Sequence, residues 1–235
     1  MNERVAIIGA GWAGCAAAVE AIDNGFDVTL FEASRIPGGR ARKTVIEGMT
    51  LDNGQHILLG AYSKTLQMME RVGIDTDAAF LRLPLQMHYP PLSGAMNFET
   101  PRLPAPLHLA VGLFKTKGLH WEDKIALARF FTACHIRWDI GTDRPLIRLL
   151  EQFWQTPRLY GLLWRPLCMA SMNTIPETAS AQVFLSILKD SLGARRHASD
   201  MLLPKMDLSA IFPEKVIDYL TRCGGKIRLG ETVRE

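Results

Sequence analysis

Three glycines near the N-terminus, Gly9, Gly11 and Gly14, stand in the spacing G-x-G-x-x-G, and an acid, Glu32, follows about 20 residues on. Residues of these types at this spacing could hold a dinucleotide. Gly9 permits a tight turn, Gly11 lets the backbone approach a pyrophosphate, and Gly14 lets a helix pack closely on a strand. The helix start offers unpaired N–H groups and a partial positive charge to the phosphates. Glu32 is placed to accept hydrogen bonds from an adenosine ribose. A second glycine turn, Gly38-Gly39-Arg40, follows that acid. A plain NAD site has no need of it. Its glycines allow another close backbone approach, and Arg40 brings a planar, two-pronged donor for phosphate oxygens. Elsewhere in a chain such a turn is better read as a surface loop with a solvated arginine; directly after the fingerprint, the phosphate reading is preferred.

The flanking residues supply the elements these groups need. Arg4 to Ile8 is a short apolar run that predicts a buried parallel strand. A helix should follow to about Asn24, with Gly25 as its stop, and then a second strand from Phe26 to Phe31 that ends at Glu32. A secretion leader competes for the same residues, because Val5–Val19 is apolar and Cys15 follows Ala13-Gly14. A cleaved leader does not continue into a matched strand closed by a carboxylate. The dinucleotide reading is therefore kept.

Beyond the second turn comes Gly48-Met-Thr-Leu-Asp52-Asn-Gly54-Gln55-His56. The fingerprint, Glu32, the Gly-Gly-Arg turn and this G-x-x-x-D-x-G pattern together resemble the flavin-dependent amine oxidase and phytoene desaturase superfamily. Three longer stretches narrow the match: DNGQHILLGAY (52–62), WRPLCMASMNTIPETASAQVF (164–184) and DSLGARRHASDMLLPKMDLSAIFP (190–213). These resemble the hydroxysqualene dehydroxylase family of squalene-associated FAD enzymes in bacterial hopanoid synthesis, and the resemblance runs along the entire chain. It implies FAD as cofactor and removal of a hydroxyl from an isoprenoid to give squalene. It places Asp52, Gly54, Gln55 and His56 near the flavin ring, although Asp52 could instead serve the Asn53-Gly54 turn. A catalytic role for His56 competes with the commoner structural one. Members of that family are longer, so the chain is expected to be a fragment or to have lost its C-terminal part.

The expected class is α/β: a Rossmann-like FAD-binding domain with an inserted, mostly helical α+β substrate domain. Residues 1–60 would form the first part of the FAD-binding domain, 61–204 the substrate domain and 205–235 an incomplete return. Tyr62–Val72 predicts a helix with Leu66, Met69 and Val72 on one face and Gly73 as its stop. Trp121–Trp138 predicts another, in which Ile125, Ala128, Phe131 and His135 recur at helical spacing. Leu81–Pro106 is rich in proline yet apolar and reads as strands and loops. Pro213–Arg222 reads as a helix begun by proline, and Lys226–Leu229 as a strand.

Removing hydroxide from carbon calls for a nearby donor, and His56, Tyr62 and Asn173 are the candidates. His88, His108, His120, His135 and His197 are given no role. Aromatic faces suit an allylic cation, but Trp154, Trp164 and Phe184 are individually better read as packing. A lipophilic isoprenoid substrate implies uptake from a membrane and an electron donor of unknown identity. Pro101–Leu119, with Leu107, Leu113 and Phe114 beside Lys115 and Lys117, either rests at that interface or packs into the core. Competing activities are a carotenoid or phytoene-type desaturase, an amine oxidase-like enzyme, and a non-catalytic fragment.

Composition narrows the remaining classes. The chain has 235 residues, 48% hydrophobic and 22% charged, with a formal net charge of +3. Lys and Arg are scattered, so no nucleic-acid partner is expected. Cys15, Cys134, Cys168 and Cys223 form neither a CxxC pair nor a metal cluster and read as buried thiols in a reducing compartment. No apolar run approaches the ~18 residues of a spanning helix. A cytoplasmic protein, in peripheral contact with the inner face of the membrane, is the expected setting.

Overall fold

The computed structural model describes residues 3–136, 138–193 and 195–234. The chain divides into two compact units. The first comprises the described residues of Met1–Leu58, Tyr62–Arg82 and Leu202–Glu235; the second is Leu59–Ala61 with Leu83–Met201. The boundary differs from the sequence-based division, because Tyr62–Arg82 belongs with the dinucleotide fold rather than with the inserted domain. Met69 and Val72 explain this: both are buried in the core of the first unit, beside Val19, Leu30 and Phe212.

In the first unit, strands Arg4–Ile8 and Asp27–Glu32 flank the helix Trp12–Asp23 in sequence, and they pair in parallel with Arg4 opposite Asp27 and Ile8 opposite Phe31. The strand Lys226–Leu229 pairs in parallel on the other side of Asp27–Glu32, so the last helix and strand do return to this sheet. Helix Pro213–Arg222 starts at its proline and packs against the opening helix, where Tyr219 donates to Asp23 Oδ1 at 2.5 Å. Helix Ser63–Arg71 sends Arg71 to Asp23 at 2.5 Å and to Glu20 at 2.8 Å. A hairpin of Lys43–Ile46 and Met49–Asp52 carries the chain onward.

One expectation fails here. Arg4–Ile8 is not a buried strand: Ile8 is 69% exposed. The strand order puts Arg4–Ile8 at a sheet edge, where an apolar sequence cannot by itself obtain cover.

The second unit is mostly helical. Helices Leu107–Lys115, Trp121–Ile136, Leu146–Gln152, Arg165–Met172 and Ala181–Leu188 surround a core that includes Phe130, Trp164 and Phe184. Phe130 and Trp164 pack in a tilted pair at 4.6 Å between ring centroids, and Trp164 meets Phe184 edge-on at 6.2 Å. Ser180 caps the last of these helices by accepting from Val183 N–H at 3.0 Å. Gln86–His88 and Asn97–Glu99 pair as a small antiparallel ribbon within the proline-rich stretch.

Trp164 and Phe184 are thus packing residues, whereas Trp154 is 72% exposed under the Arg129 guanidinium. The stripe on Trp121–Ile136 also differs from a simple core face. Ala126, Leu127 and Phe130 are buried, while Ile125 and Ala128 are exposed and, with Phe131, line an open groove. The side chains of Cys134 and His135 lie outside those described. Among the described residues no helix is long and apolar enough to cross a membrane.

Candidate functional site

The glycine loop is built by the turn from first strand to helix. Gly9 has φ of +98°, a left-handed conformation that favours glycine, and its N–H donates to Phe31 O at 2.7 Å. A Cβ on Gly14 would stand 1.9 Å from Gly9 O, so the close packing of helix on turn has no room for a side chain. Gly11 caps the helix with an extended backbone, no capping side chain and no acid in the first turn. The first N–H groups of an α-helix have no partners within it, so this terminus can bind an anion. A Cβ on Gly11 would be 3.9 Å from Gly39 Cα, an ordinary contact with protein. Contacts within the protein therefore do not by themselves require glycine at position 11.

The second glycine turn docks on the first. Gly38 bridges Gly11 in parallel, and its N–H donates to Ala10 O at 2.7 Å. Its φ is +117°, and a Cβ there would meet Ala41 O and Arg42 Cβ at 2.9 Å. Gly39, with φ of +60°, leaves only 3.2 Å between its own virtual Cβ and Gly11 Cα. Two turns 27 residues apart in the chain thus form one bare-backbone cradle, and Arg40 stands exposed at its rim. Gly38 and Gly39 must be small for the two turns to dock, and the bare backbone this leaves at Gly11 fits the approach of a pyrophosphate.

Glu32 closes the second strand. Its Oε2 accepts from Ala10 N–H at 2.7 Å and its Oε1 from Ser34 N–H at 2.8 Å. A carboxylate has about four lone-pair sites, so acceptor capacity remains for a ribose. Ser34 and Arg42 escaped the sequence reading: Arg42 Nη1 donates to Ser34 Oγ at 2.8 Å beside this acid. The available signal was a second arginine two residues beyond Arg40.

Cys15 lies beneath the loop, with Sγ donating to Ala10 O at 3.5 Å. Burial, and secondarily the charge of Glu32, push its thiol up to about 12. Burial likewise raises Cys168, whereas Cys223 is exposed, contrary to the uniform burial expected of the cysteines. Because only the thiolate reacts, iodoacetamide at pH 8 followed by peptide mass mapping should label Cys223 and spare Cys15 and Cys168. Comparable labelling of Cys15 would contradict its burial.

The third motif takes a more structural form. Asp52 Oδ1 accepts from Leu208 N–H at 2.8 Å, tying the hairpin to the returning segment. Nearby, Lys43 N–H donates to Ser209 Oγ at 3.0 Å and Lys43 Nζ pairs with Glu214 at 2.6 Å. Gly54 has φ of +95° and donates to Asp52 O at 2.8 Å, and Gln55 is exposed. His56 Nδ1 lies 3.0 Å from Gly54 O. A carbonyl only accepts, so Nδ1 carries the proton and a neutral ring presents a bare lone pair at Nε2. Of the other donor candidates, Tyr62 is 45% exposed and Asn173 caps helix Arg165–Met172 with φ of +49°. Among the described residues no group of three or more His, Cys, Asp or Glu could hold a metal.

Residues 7–72 match the NAD(P)-binding Rossmann-like domain family. Over its full length the chain is 27% identical to hydroxysqualene dehydroxylase of Sinorhizobium fredii, covering 55% of that protein. It is 29% identical to the zeta-carotene desaturase of Synechocystis, over 99% of the chain and 50% of the relative. An oxidoreductase from Methanosarcina mazei superposes with a TM-score of 0.68 at 16% identity, over 97% of this chain and 51% of that one. The chain spans about half the length of the curated relatives it matches.

Proposed function

We propose that a chain with this dinucleotide fold and these relatives holds the cofactor and substrate of an FAD-dependent oxidoreductase of isoprenoid metabolism, one that removes the hydroxyl of hydroxysqualene to give squalene. The observation that carries the cofactor is the docking of Gly38-Gly39 on Gly11, which makes a two-sided backbone slot for a pyrophosphate. The helix start at Trp12 would donate to the phosphates, Arg40 would meet their outer oxygens, and Glu32 would receive the ribose hydroxyls. When bound and reduced, FAD supplies a hydride to carbon.

Replacing C–OH by C–H consumes one hydride and one proton and releases water. The protein must therefore present a hydrogen-bond donor to the departing oxygen in an apolar setting. His56, with Nδ1 engaged by Gly54 O, leaves Nε2 as its free ring atom. An external electron donor completes each turnover.

Because the proposed substrate is a water-insoluble isoprenoid alcohol, the protein would work from the cytoplasmic face of a membrane. Exposed Leu107, Phe114, Trp121 and Ile125, with Lys115, Lys117 and Lys124 beside them, suit an anionic lipid surface. Replacing Phe114 and Trp121 by Glu should lower sedimentation with anionic vesicles at least about tenfold. Unchanged sedimentation would remove the membrane role.

The similarity to zeta-carotene desaturase favours a second reading, in which hydride leaves the substrate. Incubation with FAD, dithionite and hydroxysqualene separates the two. Squalene is the expected product; its absence, alongside desaturation of a carotenoid precursor by the oxidised protein, would overturn the dehydroxylase reading.

A further inference from the structure

Helix Trp121–Ile136 is apolar on two sides. Ala126, Leu127 and Phe130 face the core of the second unit. Trp121, Ile125, Ala128 and Thr132 face outward, with Trp121 66% and Ile125 50% exposed. Their spacing of four, three and four residues makes one stripe along the helix. A helix that is apolar around most of its circumference is ordinarily covered. The stripe stands as a ridge between two open grooves of about 570 Å³ each, one walled by Leu113 and Phe114 and the other by Phe153 and Trp154.

The order of residues along the stripe selects what covers it. Turned end for end, the stripe meets itself bulky against small. Trp121 falls opposite Thr132 and Ile125 opposite Ala128, because both pairs are centred at one point, between residues 126 and 127. A twofold axis through that point makes each contact twice. In a parallel pair Trp121 would instead meet its own copy at one end, and Ala128 would face its own copy across a gap.

The charges on one flank agree with the same axis. Glu122 and Arg129 are both exposed, and their midpoint lies one residue from it, a rise of about 1.5 Å. The antiparallel arrangement therefore sets each Glu122 beside the Arg129 of the other copy. Glu122 has no hydrogen bond or ion pair among the described residues. Arg129 lies over the Trp154 ring at 5.6 Å, which engages the plane of the guanidinium and leaves its edge for a carboxylate.

Trp121 is held in place in the single chain. Its ring meets Phe114 edge-on at 5.9 Å, and Lys124 lies over both rings while donating to Phe114 O at 2.6 Å. Little side-chain freedom is left to lose when a partner arrives. The Lys124 charge is also drawn toward helix Leu107–Lys115.

We propose that two copies of this chain associate through Trp121–Ile136 as an antiparallel, twofold-symmetric pair, with Trp121–Thr132 and Ile125–Ala128 contacts along the seam and reciprocal Glu122–Arg129 ion pairs at its rim. The pairing does not depend on the reaction. It shares Trp121 and Ile125 with the lipid contact assigned above, so a second copy covers them in solution and a lipid surface displaces it.

Sedimentation velocity of the chain without lipid tests the pairing. A contact of this size lies at the low end of specific interfaces, so a reversible monomer–dimer equilibrium with a Kd on the order of 10 µM is expected between about 1 and 100 µM protein. Glu122→Arg sets arginines against each other and Arg129→Glu sets glutamates against each other, and each should weaken the dimer at least about tenfold. Both positions are exposed, so the circular dichroism spectrum should not change. Glu122→Arg combined with Arg129→Glu restores opposite charges and should return the Kd to within about threefold of wild type. Ala128→Trp places bulk against Ile125 and should abolish the dimer. A chain that stays monomeric throughout overturns the proposal. So does a dimer indifferent to either single charge reversal, or one that the double reversal fails to restore. Growth beyond two copies that ignores all of these substitutions overturns it as well.

Discussion

Gly11→Val gives a folded protein that no longer retains FAD. The substitution meets little resistance from the protein, because a Cβ at this position has only Gly39 Cα within 4 Å, at 3.9 Å. The backbone at Gly11 is extended with φ of −71°, which valine adopts readily. The stability loss should stay near 1 kcal/mol, the scale of a poorer N-cap residue. The added methyls occupy the space into which the backbone would draw a pyrophosphate, and several charge-assisted N–H bonds are lost together. Each is worth about 1.5–3 kcal/mol, so affinity should fall at least about 100-fold. Flavin absorbance after reconstitution and a thermal melt measure the two effects separately. Full flavin content in the variant would show that the turn has been misassigned.

Gly14→Ala should do the opposite, damaging the fold first. Its Cβ would be 1.9 Å from Gly9 O and 3.1 Å from Gly9 C, and both are backbone atoms that no rotamer change can move. The helix must slide off the turn, and the cost should reach about 3 kcal/mol or more, at the upper end of overpacking effects. Against a typical total of about 5–15 kcal/mol this is a large share. The melting temperature should drop by several degrees, with flavin loss following from the displaced helix start. A melting temperature equal to wild type would mean that the turn is looser than its geometry implies. The pair of variants thus separates a glycine kept small for a ligand from one kept small for the chain.

Much of the first unit was legible because its information is local. Glycine spacing, a short apolar run and a terminal acid fall within some 30 residues, and turn, helix start and parallel pairing follow from them. The place of Gly38-Gly39 after Glu32 suggested a phosphate turn, but nothing local announced that Gly38 would bridge Gly11. Long-range partners were hidden. Asp52 bonds the N–H of Leu208, 156 positions away, and no local pattern encodes that. The apolar stripe through Ile125 and Ala128 has helical spacing but lines a groove, because periodicity identifies a face without naming its neighbour. His108 was passed over for the same reason: alone in a Leu-rich helix it says nothing until Ser199, 91 residues on, comes beside it.

The exposed flank of Arg4–Ile8 has a consequence for handling the protein. Asp27–Glu32 satisfies one side of its ladder, and no described residue pairs with the other. Only Arg4 in this strand carries a charge that would deter a newcomer. A second extended backbone can therefore zip onto it, whether from another molecule or from elsewhere in a longer polypeptide. Concentrated samples should self-associate through this flank, with light scattering that climbs steeply with protein concentration and persists at high salt; scattering that stays flat would mean the flank is already occupied.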